Sequence, residues 1–168
     1  MKGSLAADPL RPPAGMGQTP SYELGWKLAD GSIEPYLSYV AEDAAVNWSD
    51  ELEELLEQRS RDHFIDVWTR GSMIERLGEV PAGGTIADLG CSTGYLLEDL
   101  EAAYPQAQLL GLDLVAPGLS KAHELVPAAR LLRADVCVLP MLDDSIDAIV
   151  SPNLLVHVPD DQRALREM

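Results

Sequence analysis

The segment from Ile86 to Leu97, I-A-D-L-G-C-S-T-G-Y-L-L, constrains the fold more than any other part of the sequence. An apolar run that carries Asp88 is followed by a short segment with two glycines, Gly90 and Gly94, and then by leucines at helical spacing. This pattern predicts a strand, a tight loop and a helix. Glycine suits such a loop because it tolerates a positive φ and lets backbone amides approach a ligand. The new helix also presents unpaired N–H groups there.

The spacing of the two glycines distinguishes between two classes of ligand. A dinucleotide-binding loop has the pattern G-x-G-x-x-G, which lets a pyrophosphate lie on the helix N-terminus. Here only Gly90 and Gly94 are present, and Asp88 at the strand end would repel a pyrophosphate. The acid favours a ligand with a cationic end, such as the ammonium group of an amino acid, whose carboxylate could bind the loop amides. S-adenosylmethionine has such an end.

Two stretches carry a resemblance to a known family. The segment 88–94, D-L-G-C-S-T-G, resembles the first motif of the class I S-adenosylmethionine-dependent methyltransferases, usually D/E-x-G-x-G-x-G, with Ser92 in place of the middle glycine. The segment 139–150, L-P-M-L-D-D-S-I-D-A-I-V, is similar to the L-P-F-x-D-x-S-F-D-x-V block of small-molecule methyltransferases. The resemblance implies a Rossmann-like, doubly wound α/β fold with a parallel sheet, and methyl transfer from S-adenosylmethionine to a small-molecule acceptor.

The resemblance also assigns cofactor contacts to the ends of the predicted strands. Asp113 ends an apolar run 19 positions after Gly94, close to the spacing of about 20 at which nucleotide-binding folds place an acid for the ribose hydroxyls. Asp135 follows the third predicted strand, where the family binds the adenine amino group. Either acid alone could equally be a solvated residue at a strand end. The predicted cofactor-binding residues are Asp88, Gly90, Cys91, Gly94, Asp113, Leu114, Ala134, Asp135, Val136 and Asn153.

A candidate base follows the fourth predicted strand. The segment 151–160 is similar to a stretch that closes over the methyl group in the family and often reads L-H-H-V-x-D. His157 and Val158 match its end, whereas Val156 stands where the first histidine often is. Because imidazole titrates near neutrality, His157 is the predicted catalytic base for a hydroxyl or acidic-carbon acceptor. The alternative is a histidine that packs at a helix start.

The chain divides into three predicted regions. Residues 1–21 are rich in Pro, Gly and Ala and are predicted to be a disordered leader. Residues 22–80 are predicted to be an N-terminal helical extension or cap, and residues 81–168 the S-adenosylmethionine-binding domain. Within the extension, the alternation of Tyr22, Leu24, Trp26 and Leu28 before Asp30-Gly31 is compatible with a short hairpin.

The rest of the extension carries helical signals. Residues 35–46 could be a short helix or an irregular segment, and a longer amphipathic helix is predicted from Asp50, with Asp50 and Glu53 as a capping box. Gly71 is predicted to break it. All three Trp lie before residue 70, and such aromatics usually pack onto a core. The alternative is a cap over the cofactor in which His63 and Trp68 line an acceptor pocket.

The number of strands predicts an incomplete domain. Four are predicted, near residues 85–89, 108–112, 129–132 and 146–150, whereas the complete fold has seven. The last predicted helix has no C-cap, so we expect a chain truncated after the fourth strand, with the C-terminal strands of the fold missing. The apolar strand 146–150 would then be an edge, open to pairing with a second copy or another partner.

Composition and charge limit the partners, the location and the kinds of site that are expected. The formal net charge is −16, and the 12 Lys and Arg are scattered, which argues against a nucleic-acid partner. No apolar run approaches the roughly 18 residues of a membrane span. Charged residues and prolines near the start interrupt any signal peptide, so we expect a cytoplasmic protein without a membrane partner. Cys91 and Cys137 are too few for a disulfide framework or a cysteine-rich metal site.

Two rival functions stay open on the sequence alone. A nicotinamide-dependent oxidoreductase is disfavoured because the G-x-G-x-x-G pattern is missing. The other rival is a non-catalytic half-domain that binds the cofactor or a protein partner, because its acceptor site is incomplete.

Overall fold

The structure is a computed structural model that describes residues 8–41 and 61–168. The described residues form eight strands, four α-helices and one 3₁₀ helix. In chain order they are β1 (Ser21–Tyr22), β2 (Trp26–Lys27), β3 (Ile33–Glu34), β4 (Tyr36–Ser38), α1 (Phe64–Leu77), β5 (Thr85–Leu89), α2 (Tyr95–Ala103), β6 (Gln108–Asp113), α3 (Ala116–Leu125), β7 (Arg130–Arg133), β8 (Ala148–Val150), the 3₁₀ helix Leu155–His157 and α4 (Asp161–Glu167).

Five of the strands form one parallel sheet in the order β4-β7-β6-β5-β8. The chain moves outward from β5 through β6 to β7 and then returns to place β8 on the other side of β5. All five residues of β5 are buried, as expected for a central strand of a parallel sheet. The strand order therefore reverses at β5, the point at which open α/β sheets bind ligands. The predicted Rossmann-like α/β fold is confirmed.

Side chains on the two faces of the sheet form two apolar clusters. One cluster packs β5, β6 and β7 against α2 and α3, with Ile86, Leu97, Leu119 and Leu131 each fully buried. The other cluster covers the opposite face with the segment before β8 and with residues from the N-terminal part of the chain, including Leu10, Trp26 and Leu37. The alternation of side chains along each strand divides the core in this way.

The N-terminal part of the chain differs from the prediction. β1, β2 and β3 make a small antiparallel sheet, which confirms the hairpin. Within residues 35–46, predicted as a short helix or an irregular segment, Tyr36–Ser38 instead form β4, which pairs in parallel with β7. The leader predicted as disordered packs onto the domain from Asp8 onwards. Leu10 is buried and pairs with Met141, and the Arg11 N–H donates to the Pro140 carbonyl at 2.8 Å.

Buried aromatic residues hold this N-terminal part against β7. The Trp26 indole N–H donates to the Leu131 carbonyl at 2.9 Å, and the Arg130 guanidinium lies 4.9 Å from the Trp26 ring centre. The Tyr22 hydroxyl donates to the Ala129 carbonyl at 2.6 Å. Burial raises the pKa of Tyr22 to about 12, against a smaller opposing effect of Arg130, so the hydroxyl keeps its proton and remains a donor.

The predicted amphipathic helix is described from Phe64 onwards, and its predicted cap, Asp50 with Glu53, lies outside the described residues. The prediction that Gly71 breaks the helix is wrong, because α1 continues through Gly71 to Leu77. Ile74 and Leu77 turn towards the cluster that contains Val150 of β8. Tertiary packing of this face outweighs the low helix propensity of one glycine.

At the other edge of the sheet, β8 is shorter than predicted and covers three residues. Among the described residues it pairs with β5 alone, in the register Asp88 with Val150. This is the edge position that the sequence predicts. Its apolar residues are partly covered by α1, through the contacts of that helix with the cluster around Val150.

Two glycine-to-alanine substitutions should change stability in opposite directions. A Cβ at Gly111 would lie 2.7 Å from both Leu97 Cδ1 and Leu131 Cδ2, so Gly111→Ala overpacks the core and should cost about 1–3 kcal/mol. A Cβ at Gly71 would meet nothing within 4 Å, so Gly71→Ala should stabilise the exposed helix by about 0.5–1 kcal/mol. Urea unfolding measures both. A loss of stability in Gly71→Ala would contradict the continuous helix.

Candidate functional site

The carboxyl ends of the parallel strands lie at one edge of the sheet, and the predicted site residues lie at these strand ends or in the segments that follow them. Hydrogen bonds join each loop there to a neighbouring strand end. The Cys91 N–H donates to the Leu112 carbonyl at 3.1 Å, the Ala134 N–H to the Asp113 carbonyl at 3.0 Å, and the Ser151 hydroxyl to the Leu89 carbonyl at 3.1 Å. The structure therefore brings the four predicted segments together.

The two glycines of the first loop, residues 90–94, let neighbouring segments approach its backbone closely. Gly90 has φ 83° and Gly94 has φ 85°. A Cβ at Gly94 would lie 2.9 Å from the Ala122 Cβ, so the loop rests directly on α3. A Cβ at Gly90 would lie 3.1 Å from the Leu154 Cβ, which belongs to the segment after β8. The middle position of the motif, Ser92, also has a positive φ, of 45°.

Asp88 is a buried acid at the carboxyl end of β5. Its side chain is 1% exposed, and neither carboxyl oxygen has a hydrogen-bond partner in the described part of the chain. Its register partners are Gly111 in β6 and Val150 in β8, which provide no polar side chain. Burial, with a smaller effect of the Asp113 charge, raises the pKa of Asp88 to about 8. A cation bound nearby would favour the ionised carboxylate.

Asp113 is fixed between the first loop and α3. Its Oδ2 accepts the Ser92 N–H at 2.9 Å, and its Oδ1 accepts the Val115 N–H at 2.9 Å. The carbonyl of the next residue, Leu114, accepts a hydrogen bond from Arg133 Nε at 3.0 Å. Because each carboxylate oxygen has more than one acceptor position, these bonds orient Asp113 without using up its capacity to accept hydroxyl protons.

Asp135 lies in a turn after β7, between buried Ala134 and Val136. Its Oδ1 accepts the Cys137 N–H at 2.8 Å, and its carbonyl accepts the Val138 N–H at 2.9 Å. This local turn is the structural role that the sequence leaves open for Asp135. The side chain is half-buried at the same edge as Asp113, so the adenine contact stays a prediction.

Cys91 contributes its backbone to the loop and its side chain to the core. The residue is 5% exposed and belongs to the cluster formed with α2 and α3. Its Sγ lies 3.0 Å from the position that a Cβ at Gly111 would occupy. We therefore expect that the main chain of Cys91, rather than its thiol, would face a ligand of the loop.

The segment after β8 contains the predicted base and a contact that the sequence did not predict. His157 is exposed at the end of the 3₁₀ helix, and Asn153 is exposed with φ 59°. Leu154 packs on Gly90, and Ser151 bonds to the end of β5. In the sequence, Leu154 belongs to an apolar pair shortly before His157, the histidine that matches the family pattern. Such a pair does not indicate which loop its side chains contact.

The segment just before α1 lies beside the start of α2. The Arg61 guanidinium is 5.4 Å from the ring centre of Tyr95, which begins α2. His63 directly precedes α1, with its Nδ1 3.6 Å from an Asp66 carboxylate oxygen. Trp68 is 68% exposed, so it does not pack into the core. This exposure disfavours the core-packing interpretation for Trp68, and a role in an acceptor pocket stays a prediction.

No group of three or more His, Cys, Asp or Glu within residues 8–41 and 61–168 is arranged to hold a metal ion. No helix in the same ranges is both long and apolar enough to cross a membrane.

Comparisons with known proteins identify the relatives of this site. Residues 86–168 match the family model described as a methyltransferase domain. A demethylmenaquinone methyltransferase from Roseiflexus sp. (strain RS-1) is 34% identical over 96 residues, which are 55% of this chain and 40% of the relative. A trans-aconitate 2-methyltransferase from Paracidovorax citrulli is 39% identical over 75 residues, 44% of this chain and 28% of the relative. The match thus spans less than half the length of either relative.

A solved structure supports the same architecture. A Haemonchus contortus phosphoethanolamine N-methyltransferase 2, in complex with S-adenosyl-L-methionine, aligns with a TM-score of 0.61 at 20% identity. The alignment covers 71% of this chain and 30% of that chain. At this identity the likeness shows the fold, which agrees with the strand order at β5. The predicted motifs and the match to the methyltransferase domain model thus fall in the same part of the chain, residues 86–168.

The buried carboxyl group of Asp88 should make stability depend on pH. The folded chain holds this proton up to a pH of about 8, whereas the unfolded chain releases it near pH 4. Because the folded state binds more protons between these values, the free energy of unfolding should fall as the pH rises through that window. The slope is up to about 1.4 kcal/mol per pH unit.

Urea unfolding between pH 5 and pH 9 tests this prediction with Asp88→Asn, which removes the titrating group and should flatten the dependence. Glu79→Gln changes an exposed acid and serves as the control, because it should keep the wild-type dependence. Equal slopes in the wild type and Asp88→Asn would contradict the assignment.

Proposed function

We propose that residues 86–168, which match the methyltransferase domain model, bind S-adenosylmethionine, and that the protein transfers its methyl group to a small-molecule acceptor. The observation that carries the proposal is the convergence of the four strand-end segments at the point where the strand order reverses. Within the described residues, that edge combines an orphaned buried acid, a glycine loop, two further acids and a histidine.

The first loop and Asp88 fit the methionine end of the cofactor. Gly94 precedes α2 without a side-chain cap, so the first turn of that helix has amides to offer a carboxylate. The Asp88 carboxyl group has no hydrogen-bond partner among the described residues. At 1% exposure it would act through its charge from beneath the loop rather than as an open ligand. A cationic ammonium group close to it would offset the cost of burying that charge.

The next two strand ends fit the nucleoside. Asp113 is held by two backbone N–H groups and can accept the ribose hydroxyl protons, with Leu114 beside it. Asp135, which follows β7 between buried Ala134 and Val136, is the proposed acceptor for the adenine amino group. A bound S-adenosylmethionine supplies an electrophilic methyl group on a sulfonium centre.

The chain's own part in the reaction is positioning. Leu154 contacts Gly90 and covers the loop with an apolar side chain, which would exclude water from the reacting atoms. The rate of an in-line methyl transfer depends mainly on holding the acceptor collinear with the methyl group. His157, exposed on the same segment as Leu154, is the candidate to take a proton from the acceptor.

A small-molecule acceptor is the class that the observations favour. The relatives are named for demethylmenaquinone and trans-aconitate, two chemically different small molecules. The chain carries 28 Asp and Glu against 12 Lys and Arg, a balance that disfavours a phosphate backbone as substrate.

Calorimetric titration with S-adenosylhomocysteine tests the cofactor site directly. We expect the wild type to bind, and Asp113→Ala to lose about 1–3 kcal/mol of binding free energy, because the ribose hydroxyls lose their charged acceptor. Asp143→Ala, at an exposed turn, is the control and should bind like the wild type. Equal affinity in Asp113→Ala would contradict the ribose role. A folded wild type that does not bind would favour the non-catalytic alternative.

Cys91→Ala should leave cofactor binding nearly unchanged. The side chain packs in the core, so its removal should cost about 1 kcal/mol of stability, while the backbone amides of the loop stay in place. Titration with S-adenosylhomocysteine and urea unfolding of the same variant separate the two effects. A complete loss of binding by a stably folded Cys91→Ala would show that the thiol itself faces the ligand.

A further inference from the structure

Two arginines lie against the ring of Tyr95, the first residue of α2. The guanidinium carbon of Arg61 is 5.4 Å from the ring centre and that of Arg70 is 5.9 Å from it. Both distances are within the range of cation–π attraction. We call Arg61, Arg70 and Tyr95 the arginine clamp.

Acidic residues of α2 hold both arginines in place. Arg61 donates to both carboxylate oxygens of Glu98 at 3.2 Å, and Arg70 donates to Asp99 at 2.6 Å. Arg70 also donates to the Arg61 carbonyl at 3.0 Å, so the two arginines are tied to each other. The Arg70 side chain is only 14% exposed. Its interactions are therefore less weakened by solvent than those of an open surface pair.

The position of the clamp relates it to the first loop. Tyr95 directly follows Gly94, whose backbone rests on Ala122 of α3. The first turn of α2 is thus held by α3 on one side and by the segment that leads into α1 on the other. A cavity of about 400 Å³ adjoins this point and is lined by Arg61, Thr93, Tyr95, Lys121, Glu124 and Leu125. Without the clamp, that cavity leaves the turn room to move.

We propose that Tyr95 is a positioning residue, and that the arginine clamp fixes the first turn of α2 so that its amides are preorganised for the cofactor. The proposal rests on the proposed function, because it assigns the N-terminal part of the chain to the cofactor site. Preorganised donors bind more tightly than mobile ones, since no ordering cost remains at binding. Arg61 and Arg70 act through Tyr95 and need no contact with the ligand.

A hydrogen bond that also joins α1 and α2, but at their other ends, provides a matched control. The Tyr104 hydroxyl, after the carboxyl end of α2, donates to the Gly78 carbonyl at 2.9 Å, just beyond the end of α1. Tyr104→Phe therefore loosens the packing of α1 on α2 at the end far from the first loop. A clamp that merely joins the helices would give the same effects in Tyr95 and Tyr104 variants.

The test compares Tyr95→Leu, Tyr95→Phe, Arg70→Met and Tyr104→Phe with the wild type. Amide hydrogen exchange of peptides spanning residues 90–97 reports the order of the turn in the ligand-free chain. Titration with S-adenosylhomocysteine reports affinity. Tyr95→Leu and Arg70→Met should speed exchange and weaken binding about three- to tenfold, the size expected for one or two cation–π contacts. Tyr95→Phe keeps the aromatic ring, so its exchange rate and its affinity should equal those of the wild type. Tyr104→Phe should also leave both quantities unchanged.

The outcomes separate the two proposals. A wild type that does not bind S-adenosylhomocysteine overturns the proposed function and the positioning role that rests on it. Binding by the wild type with equal affinity and unchanged exchange in a folded Tyr95→Leu overturns the clamp alone. Equal losses in Tyr95→Leu and Tyr104→Phe also overturn it, because the effect would then be general loosening of the helix pair.

Discussion

The close approach of backbone segments at the carboxyl edge of the sheet is the constraint on which the candidate site depends. Gly94 rests on α3, Gly90 on Leu154, and Gly111 leaves space for Cys91 and Leu97, and a side chain at any of these positions would meet atoms at 2.7–3.1 Å. A side chain at any of these positions would therefore force its neighbours to shift. The order of the strands then places the loop at the reversal point of the sheet.

A buried acid in this position has a cost that the fold must tolerate. Asp88 lies beside Val150 and Gly111, in a position where an apolar side chain is expected. Its carboxyl group has no hydrogen-bond partner in the described residues. Burying such a group without a hydrogen bond costs free energy. Local rules of folding are broken mainly at functional sites. The cost is reasonable if a cationic ligand pairs with Asp88, and the neutral, protonated form limits it when no ligand is bound.

The sequence predicts the central part of the fold well because its signals are local. The strand at residues 85–89, the glycine loop and α2 follow one another directly, and their order predicts the architecture. The N-terminal strands are different. β4 has only three residues, too few for a periodicity, and pairs with Leu131–Arg133 far along the chain. The contacts of Trp26 with Leu131 and of Leu154 with Gly90 join distant segments in the same way, so no short window shows them.

These distant contacts change how the N-terminal part of the chain relates to the site. The motifs begin after residue 85, which suggested a separate extension before them, yet β4 completes one edge of the same sheet and Trp26 is fully buried in its core. At the other side, Arg70 and Asp99 join α1 to the helix that follows the glycine loop. Motifs mark where the chemistry lies, whereas packing decides what holds it in place. In this protein the residues before the motifs therefore belong to the structural frame of the candidate site.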